Sequence, residues 1–242
     1  MHGYDSTSYG DSFADVYDDW YSDVTDVAAT VQQMIAAAGV GGHVLELGVG
    51  TGRLGAPMAA AGLRVTGIDS SQAMLDRVPN GSGIVAICGD MVDDLPDGPF
   101  DACLVAYNTI FNLLDEDHQQ RCFANVAARL APGGRFLVEA IVPDLDAPAG
   151  GDVSVRSMSS DRVVLSVSDH RPEQQRTSGQ FIEFTEAGGV RLRPWAIRWA
   201  TTKQLDAMAS SAGFELESRL ADMAGEAFDE YADHHVSVYR LT

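Results

Sequence analysis

Strand-length apolar runs alternate with helix-length amphipathic ones over the first 141 residues, and that rhythm leaves few folds open to the chain. Residues 43–47, 64–68, 83–87, 100–106 and 135–141 read as strands, and 24–38, 52–61, 71–78 and 116–130 read as helices. In the first helix Val27, Val31, Met34, Ile35 and Ala38 share one face, and Gly39 is a natural stop. A helix between successive strands requires a crossover, and crossovers make parallel sheets. The pattern changes after Ile141. Segments 162–167, 179–185 and 190–200 read as strands joined by polar or glycine-containing turns, with no helix between them, while 148–151 reads as a loop. This predicts an antiparallel β insert over residues 144–200. A helix at 201–212 and strands at 214–221 and 235–241 follow. The expected fold is α/β: a doubly wound, Rossmann-like seven-stranded sheet plus the insert, in one domain over 1–242.

Composition removes several classes of function. The formal charge is −19 and Lys203 is the only lysine, so no basic stripe can neutralise phosphates, and a nucleic-acid partner is not expected. The acidic residues Asp5, Asp11, Asp15, Asp18, Asp19, Asp23 and Asp26 crowd a stretch with no Arg or Lys before Arg53. That is chiefly a solvated face, with a bias toward neutral or cationic ligands. Cys88, Cys103 and Cys122 are odd in number and widely spaced, so neither a disulfide framework nor a zinc site is indicated, and a reducing cytoplasm is expected. No stretch approaches the roughly 18 apolar residues of a membrane span, and the N-terminus lacks an export pattern.

The segment Glu46-Leu47-Gly48-Val49-Gly50-Thr51-Gly52 lies where the first core strand turns into the next helix. Glycines there allow a tight turn and close approach to a nucleotide. Gly50-Thr51-Gly52-Arg53-Leu54-Gly55 also spells a dinucleotide fingerprint, with Asp69 near the expected distance, so an NAD(P)-dependent oxidoreductase is one alternative. A nucleoside carrying a methionine tail would instead use Glu46 for its ammonium group. Asp69 would take both ribose hydroxyls on its two oxygens, with Ser70 beside it. Asp90 would accept from the adenine amino group, with Met91 and Met74 packed against the ring.

Together, Glu46 to Arg53, Val65 to Ser71 with Met74-Leu75, Gly89-Asp90-Met91, Phe100-Asp101-Ala102 and Leu130-Ala131-Pro132-Gly133-Gly134 resemble the class I S-adenosylmethionine-dependent methyltransferases. The likeness runs over about residues 28–142, and the family's terminal β hairpin matches 214–241, which implies a last strand antiparallel to the others. It implies S-adenosylmethionine as cofactor, with Gly48, Gly50, Gly52, Arg53 and Tyr107 around it, S-adenosylhomocysteine as product, and no metal. The cadence Phe13-Ala14-x-x-Tyr17-x-x-x-Tyr21 resembles the lid of amino-sugar and other small-molecule N-methyltransferases, which implies an N-terminal lid over residues 1–26. This implies Tyr17 at the cofactor and Tyr21 at the reacting atoms. Asp23 and Thr25 stand where those enzymes often have basic residues, which leaves Arg53 as a substitute contact for the cofactor carboxylate. The insert resembles their flap, which covers the acceptor or forms a dimer contact.

Ligands of open α/β sheets bind beyond the carboxyl ends of the parallel strands. That rule selects Tyr107, Asn108 and the nearby Asn112. Because the last strand runs the other way, its start brings His234 or His235 to the same rim as a candidate base. His118 and His170 are further imidazoles. In the insert, Trp195 and Arg198 are candidate acceptor contacts, and alternation puts Trp195 and Trp199 on one face with Arg198 on the other. After the fourth strand, Tyr107-Asn108-Thr109-Ile110 lacks the Asn-Pro-Pro-aromatic element of enzymes acting on amide or adenine nitrogens. The expected activity is methylation of a small-molecule acceptor, an amine of a natural product or metabolite, by a monomer or homodimer. The same residues are also compatible with O- or C-methylation of a small molecule, and with cofactor binding without catalysis.

Overall fold

The parallel alternation in the sequence becomes one continuous sheet in the computed structural model, which describes residues 1–22 and 24–242. Its core strands are β1 (His43–Leu47), β2 (Arg64–Asp69), β3 (Ile84–Cys88), β4 (Phe100–Val105), β5 (Leu130–Ile141), β10 (Phe214–Leu220) and β11 (His234–Leu241), in the spatial order β10-β11-β5-β4-β1-β2-β3. The first five strands pair in parallel, whereas β11 runs antiparallel to both β5 and β10. The order reverses between β1 and β4, which is the switch point where such sheets open a crevice.

Residue alternation feeds two cores. Leu45, Leu47, Cys103, Val105, Phe136 and Tyr239 pack on one face of the sheet, beneath α6 (Glu116–Ala127) and α7 (Thr202–Ser211). Val44, Val65, Leu104, Leu137 and Val236 pack on the other, beneath α3 (Val27–Ala38) and α4 (Gly55–Ala60). Helix starts carry the expected chemistry. Asp26, Asp115 and Thr201 accept a backbone N–H from Ala29, His118 and Gln204 respectively, and Thr201 completes a capping box with Gln204. The helix expected at 71–78 is only α5 (Gln72–Leu75), capped by the Ser71 side chain. Residues 131–134, expected as a turn before the fifth strand, fall inside β5 as a register shift against β4. No helix among the described residues is long and apolar enough to cross a membrane.

The insert is a second, four-stranded antiparallel sheet, β6 (Gly150–Met158), β7 (Arg162–Arg171), β8 (Arg176–Thr185) and β9 (Val190–Arg198). The stretch expected as a loop at 148–151 therefore leads into a strand. β6 is an edge strand exposed along its length. The cross-strand rows Met158-Val163-Phe184-Val190 and Val155-Leu165-Ile182-Leu192 make one face of this sheet apolar. Met158, Val155, Val190 and Leu192 are exposed on it.

The opposite face receives the N-terminal segment, which holds α1 (Ser8–Phe13) and α2 (Tyr17–Trp20). Phe181 of β8 meets the rings of Phe13 and Trp20 edge-on, with centroids 5.8 Å apart in each case. Arg193 of β9, 1% exposed, donates to the Ser12 carbonyl, to both Asp15 oxygens (2.6 and 3.1 Å) and to Glu183 (2.9 Å). A guanidinium is tolerated at such depth because two carboxylates and a carbonyl replace its water. Removing it leaves the part-exposed Arg162, 3.4 Å away, as the remaining cation on Glu183 and releases the N-terminal segment. Arg193→Ala is expected to lower the unfolding free energy by about 3–5 kcal/mol, measured by denaturant titration. A loss near the surface-pair range of about 0–1 kcal/mol would show that the clamp does not hold the segment.

Candidate functional site

At the carboxyl ends of β1, β2 and β3 lies a cavity of about 400 Å³, lined by Gly48 and Gly50, Asp69 and Ser70, Met74, and Asp90 with Met91. Thr109, Asn112 and Leu113, after β4, close one side, and Tyr4, Tyr9 and Tyr17 of the N-terminal segment close another. Gly48 has φ +69°, and a Cβ there would lie 2.5 Å from the Thr109 side chain, so the turn and the close approach both require glycine.

Asp69 ends β2 and holds the loop in place. One carboxylate oxygen accepts the Gly50 N–H and the other the Ser71 N–H, each at 2.9 Å. Burial pushes its pKa up while these two hydrogen bonds pull it down. Each oxygen retains a lone pair for a ligand hydroxyl. Asp90 accepts the N–H groups of Val92 (2.7 Å) and Asp93 (3.0 Å) through Oδ1. The N-terminal segment is tied to the same loops: Ser71 donates to Asp11 and Thr51 to Asp18, both at 2.6 Å, and Ser70 donates to the Ser6 carbonyl at 2.8 Å.

Behind Tyr17, within reach of its hydroxyl, lies the charged Arg53 with Glu46 near it, although neither residue lines the cavity itself. Glu46, on the α3/α4 side of β1, is 3% exposed, and its Oε2 has no partner among the described residues; neither do Nε and Nη1 of Arg53. Burial pushes the Glu46 carboxyl up to about 8, with the Arg53 charge opposing and the Asp69 charge adding. Burial likewise pushes the Tyr17 phenol up to about 12 and the Tyr9 phenol well above its ordinary value, so both hydroxyls stay protonated. An unsatisfied acid and an unsatisfied guanidinium beside a nucleoside-sized cavity fit a ligand with an ammonium and a carboxylate on one short chain.

Several expected site residues lie elsewhere. His235 is fully buried on the α7 side, with Nδ1 2.9 Å from Ser237 Oγ, and burial with the nearby Arg219 lowers its pKa to about 4. It is not at the rim. Tyr21 is 6% exposed within the aromatic cluster, its ring tilted by 36° against that of Tyr17 at 4.9 Å, and does not line this cavity. The side chain of Asn108 accepts the Ile141 N–H at 2.7 Å, bridging two strand ends, and does not line it either. Arg198 reaches Gln119 (2.6 Å), Glu116 (2.8 Å) and Gln175 (3.1 Å), fastening the insert to α6. Trp195 packs against the N-terminal segment and Phe181, whereas Trp199, expected on the same face, belongs to the main core beyond the end of β9. Tyr107 and His234 line a second cavity. Asp23 lies outside the described residues.

Tyr9, although one of the N-terminal aromatics, was not expected at the site, and it lines the cavity in the place expected for Tyr21. His118 lines it too, with Nδ1 2.7 Å from Asp115. Nothing in the local pattern distinguishes either residue, because folding of distant segments brings them in.

Glu46 carries a pH signature. Its folded pKa, about 8, exceeds its ordinary 4.5, so between those values the folded state binds more protons and stability falls as pH rises. Glu46→Gln is therefore expected to raise the melting temperature of the ligand-free protein more at pH 8 than at pH 5. An equal shift at both pH values would mean that Glu46 is ionised throughout.

Known proteins share this architecture. Residues 44–134 match the model of a methyltransferase domain family, Methyltransf_25. The cypemycin N-terminal methyltransferase of a Streptomyces species is 30% identical over 196 residues, which is 78% of each chain. Among solved structures, the CcbJ methyltransferase from Streptomyces caelestis is 38% identical, with a TM-score of 0.90 over 99% of this chain and 100% of that one. An amino pentose methyltransferase from Micromonospora echinaspora with bound S-adenosylmethionine, 22% identical, shares the fold with a TM-score of 0.68 over 92% of both chains. With a glycine-loop cavity between β1 and β2 and these likenesses over most of its length, the chain belongs to the S-adenosylmethionine-dependent methyltransferases.

Proposed function

We propose that this methyltransferase acts on an amine of a small natural product or metabolite. The observation that carries the reading is the roof of the first cavity: two protonated tyrosines, Tyr9 and Tyr17, face the glycine loop and Asp69. Two of the relatives point the same way, since their names record an N-terminal methyltransferase and an amino pentose methyltransferase. In this assignment Asp69 accepts from the ribose hydroxyls, with Ser70 next to it. Asp90 accepts from the adenine amino group, and Met74 and Met91 flank the ring. Gly48, Gly50 and Gly52 shape the loop, while Glu46, Arg53 and Tyr17 receive the methionine end. Asn112 lies on the acceptor side.

Bound S-adenosylmethionine supplies an electrophilic methyl group on a positively charged sulfur. The acceptor nitrogen forms the new N–C bond with its lone pair as the C–S bond breaks, and the nitrogen afterwards carries a proton to be released. Neither Tyr9 nor Tyr17 is a phenolate near neutral pH, so neither abstracts that proton. Their hydroxyl oxygens instead accept from an amine N–H and turn the lone pair toward the methyl group. Holding the reactants in line and dry contributes on the order of 7–11 kcal/mol in favourable cases. Residues 1–26 act as a lid that excludes water, and the insert at 144–200 supports it through Arg193.

Calorimetry with S-adenosylhomocysteine tests the cofactor assignment. Asp69→Ala is expected to weaken binding by about 1.5–3 kcal/mol, the scale of hydrogen bonds to a charged group. Unchanged affinity would remove Asp69 from the cofactor. Incubation with labelled S-adenosylmethionine and paired amine and alcohol acceptors tests the reaction. Label on nitrogen is expected, and label confined to oxygen or carbon would overturn the amine reading.

The apolar outer face of the insert fits a second copy of the chain. Its two central rows carry no charge, whereas the rest of a chain with net charge −19 repels its like. Exposed apolar patches beyond a few hundred Å² mark interfaces. Sedimentation velocity is expected to find a homodimer that Leu192→Glu dissociates. A monomeric native protein would exclude this role.

A further inference from the structure

A second cavity of about 570 Å³ opens beyond the ends of β4 and β5. It is roofed by residues 221–234 and bounded by the start of α3. Six of its sixteen lining residues are acidic, namely Asp26, Glu139, Asp222, Glu226, Asp229 and Asp233, against 35 of 242 in the whole chain. None of the sixteen is Lys or Arg, and His234 is the only basic side chain. Such a concentration, well above the chain's own acidity, lowers the free energy of any cation that enters.

Acidity alone would describe a solvated loop, but three further observations point to a ligand. Thr25 lines the cavity, is 8% exposed, and its hydroxyl has no hydrogen-bond partner among the described residues. A buried hydroxyl left unsatisfied costs about 1–3 kcal/mol unless a ligand or water meets it. The carboxylates are also held in place. Asp26 accepts the Ala29 N–H (2.9 Å), Asp222 accepts from Gly225 (2.9 Å) and Glu226 (3.0 Å), and Asp229 accepts from Tyr231 (2.9 Å), each through Oδ1. Among the described residues their Oδ2 atoms make no hydrogen bond, so each keeps acceptor capacity. No group of three or more His, Cys, Asp or Glu side chains there is arranged to hold a metal ion, which favours an organic cation.

The third observation is position. Glu139 accepts the Tyr107 N–H at 2.9 Å and lies within electrostatic reach of Arg53 on one side and His234 on the other. Tyr107 meets Tyr21 of the lid edge-on at 5.7 Å and lines the second cavity. Tyr107 and Glu139 thus line the second cavity on the side toward Tyr9, Tyr17 and Arg53. An aromatic ring beside a part-buried carboxylate is a recurrent setting for an ammonium group.

We propose that the second cavity is a binding subsite for an ammonium-bearing portion of the acceptor, with Glu139 as its charged floor, Tyr107 as its wall and Thr25 as a hydrogen-bonding partner. The proposal rests on the amine reading above and extends it: the acceptor enters as a cation through the acidic mouth, and its reacting nitrogen, having given one proton to His234, lies on the Tyr9 side of Tyr107. His234, with Nδ1 2.8 Å from Asp233, lines the second cavity and is placed to take that proton as the cation enters.

The test uses cyclohexylammonium and cyclohexanol, which share a shape and differ in charge, added to the isotope-labelled protein saturated with S-adenosylhomocysteine. Cyclohexylammonium is expected to move the amide resonances of Thr25, Tyr107 and His234 saturably, and cyclohexanol to leave them in place. Glu139→Gln keeps an acceptor oxygen for Tyr107 but loses the charge. It is expected to weaken cyclohexylammonium by about tenfold, or 1.4 kcal/mol, while S-adenosylhomocysteine affinity stays within about twofold of the native value. If that variant does not fold, Asp222→Asn serves, because its amide oxygen still accepts from Gly225 and Glu226. Equal shifts with cyclohexanol, no saturable shift, or native cation affinity in the folded charge-loss variant would each overturn the subsite. Amine methylation without cation binding in this cavity would remove the subsite and leave the amine reading intact. Methylation of hydroxyls alone, with the cation bound, would do the reverse.

Discussion

The loops around the first cavity are tied together by one part-buried carboxylate. Asp69 sits at the last position of β2 and grips the glycine loop through Gly50 and the start of α5 through Ser71. That bridge joins the loop after β1 to the turn after β2, next to the Gly48 and Val49 N–H groups that donate to the Ile68 carbonyl at 2.8 and 3.1 Å. Three lid contacts are built on residues that the bridge positions: Thr51 to Asp18, Ser70 to Ser6 and Ser71 to Asp11. The close packing of Gly10 on Ser71 follows from the same constraint, since a Cβ on Gly10 would fall 2.4 Å from the Ser71 Cβ. A single acid thus shapes the floor of the site and seats its cover.

The sheet and the acids at its strand ends were legible because their signals are local. Strand-helix alternation, a glycine run after β1, and Asp69 and Asp90 after β2 and β3 can all be read within a few residues of one another. His235 was misjudged although a local argument existed. Val236 and Val238 face the α3 side, so alternation puts His235 with Ser237 and Tyr239 on the α7 side and leaves His234 at the cavity. The lid tyrosines were harder. The spacing 13, 17, 21 suggests one helix, but the chain turns between Ala14 and Val16, so the phase is lost and Tyr9 takes the cavity position. Arg198 reads as a polar residue near the acceptor, but its partners lie up to 82 positions away, and no sequence window includes them.

The two sheets divide the labour between them. The parallel sheet offers strand ends, backbone N–H groups and acids, which is what a nucleoside requires. The antiparallel insert offers little chemistry of its own to the cavities, and none of its residues lines either one. It works instead through buried arginines of β9. Arg198 fastens the insert to α6, and Arg193 fastens the lid to the insert. Side chains that suggest substrate recognition in the sequence are the joints of the scaffold.

The N-terminal segment is held on two sides. It meets the glycine loop and the turn after β2 through hydrogen bonds from Thr51, Ser70 and Ser71, the charge-assisted ones worth about 1.5–3 kcal/mol each. It meets the insert through Arg193, itself buried but paired with a part-exposed Asp15, through Phe13 and Trp20 against Phe181, and through Arg156, whose guanidinium lies 4.9 Å from the centre of the Trp20 ring. The insert in turn is held to α6 by Arg198. The segment therefore bridges the insert and the loops of the parallel sheet, and the tyrosines it contributes to the first cavity are fixed from both sides.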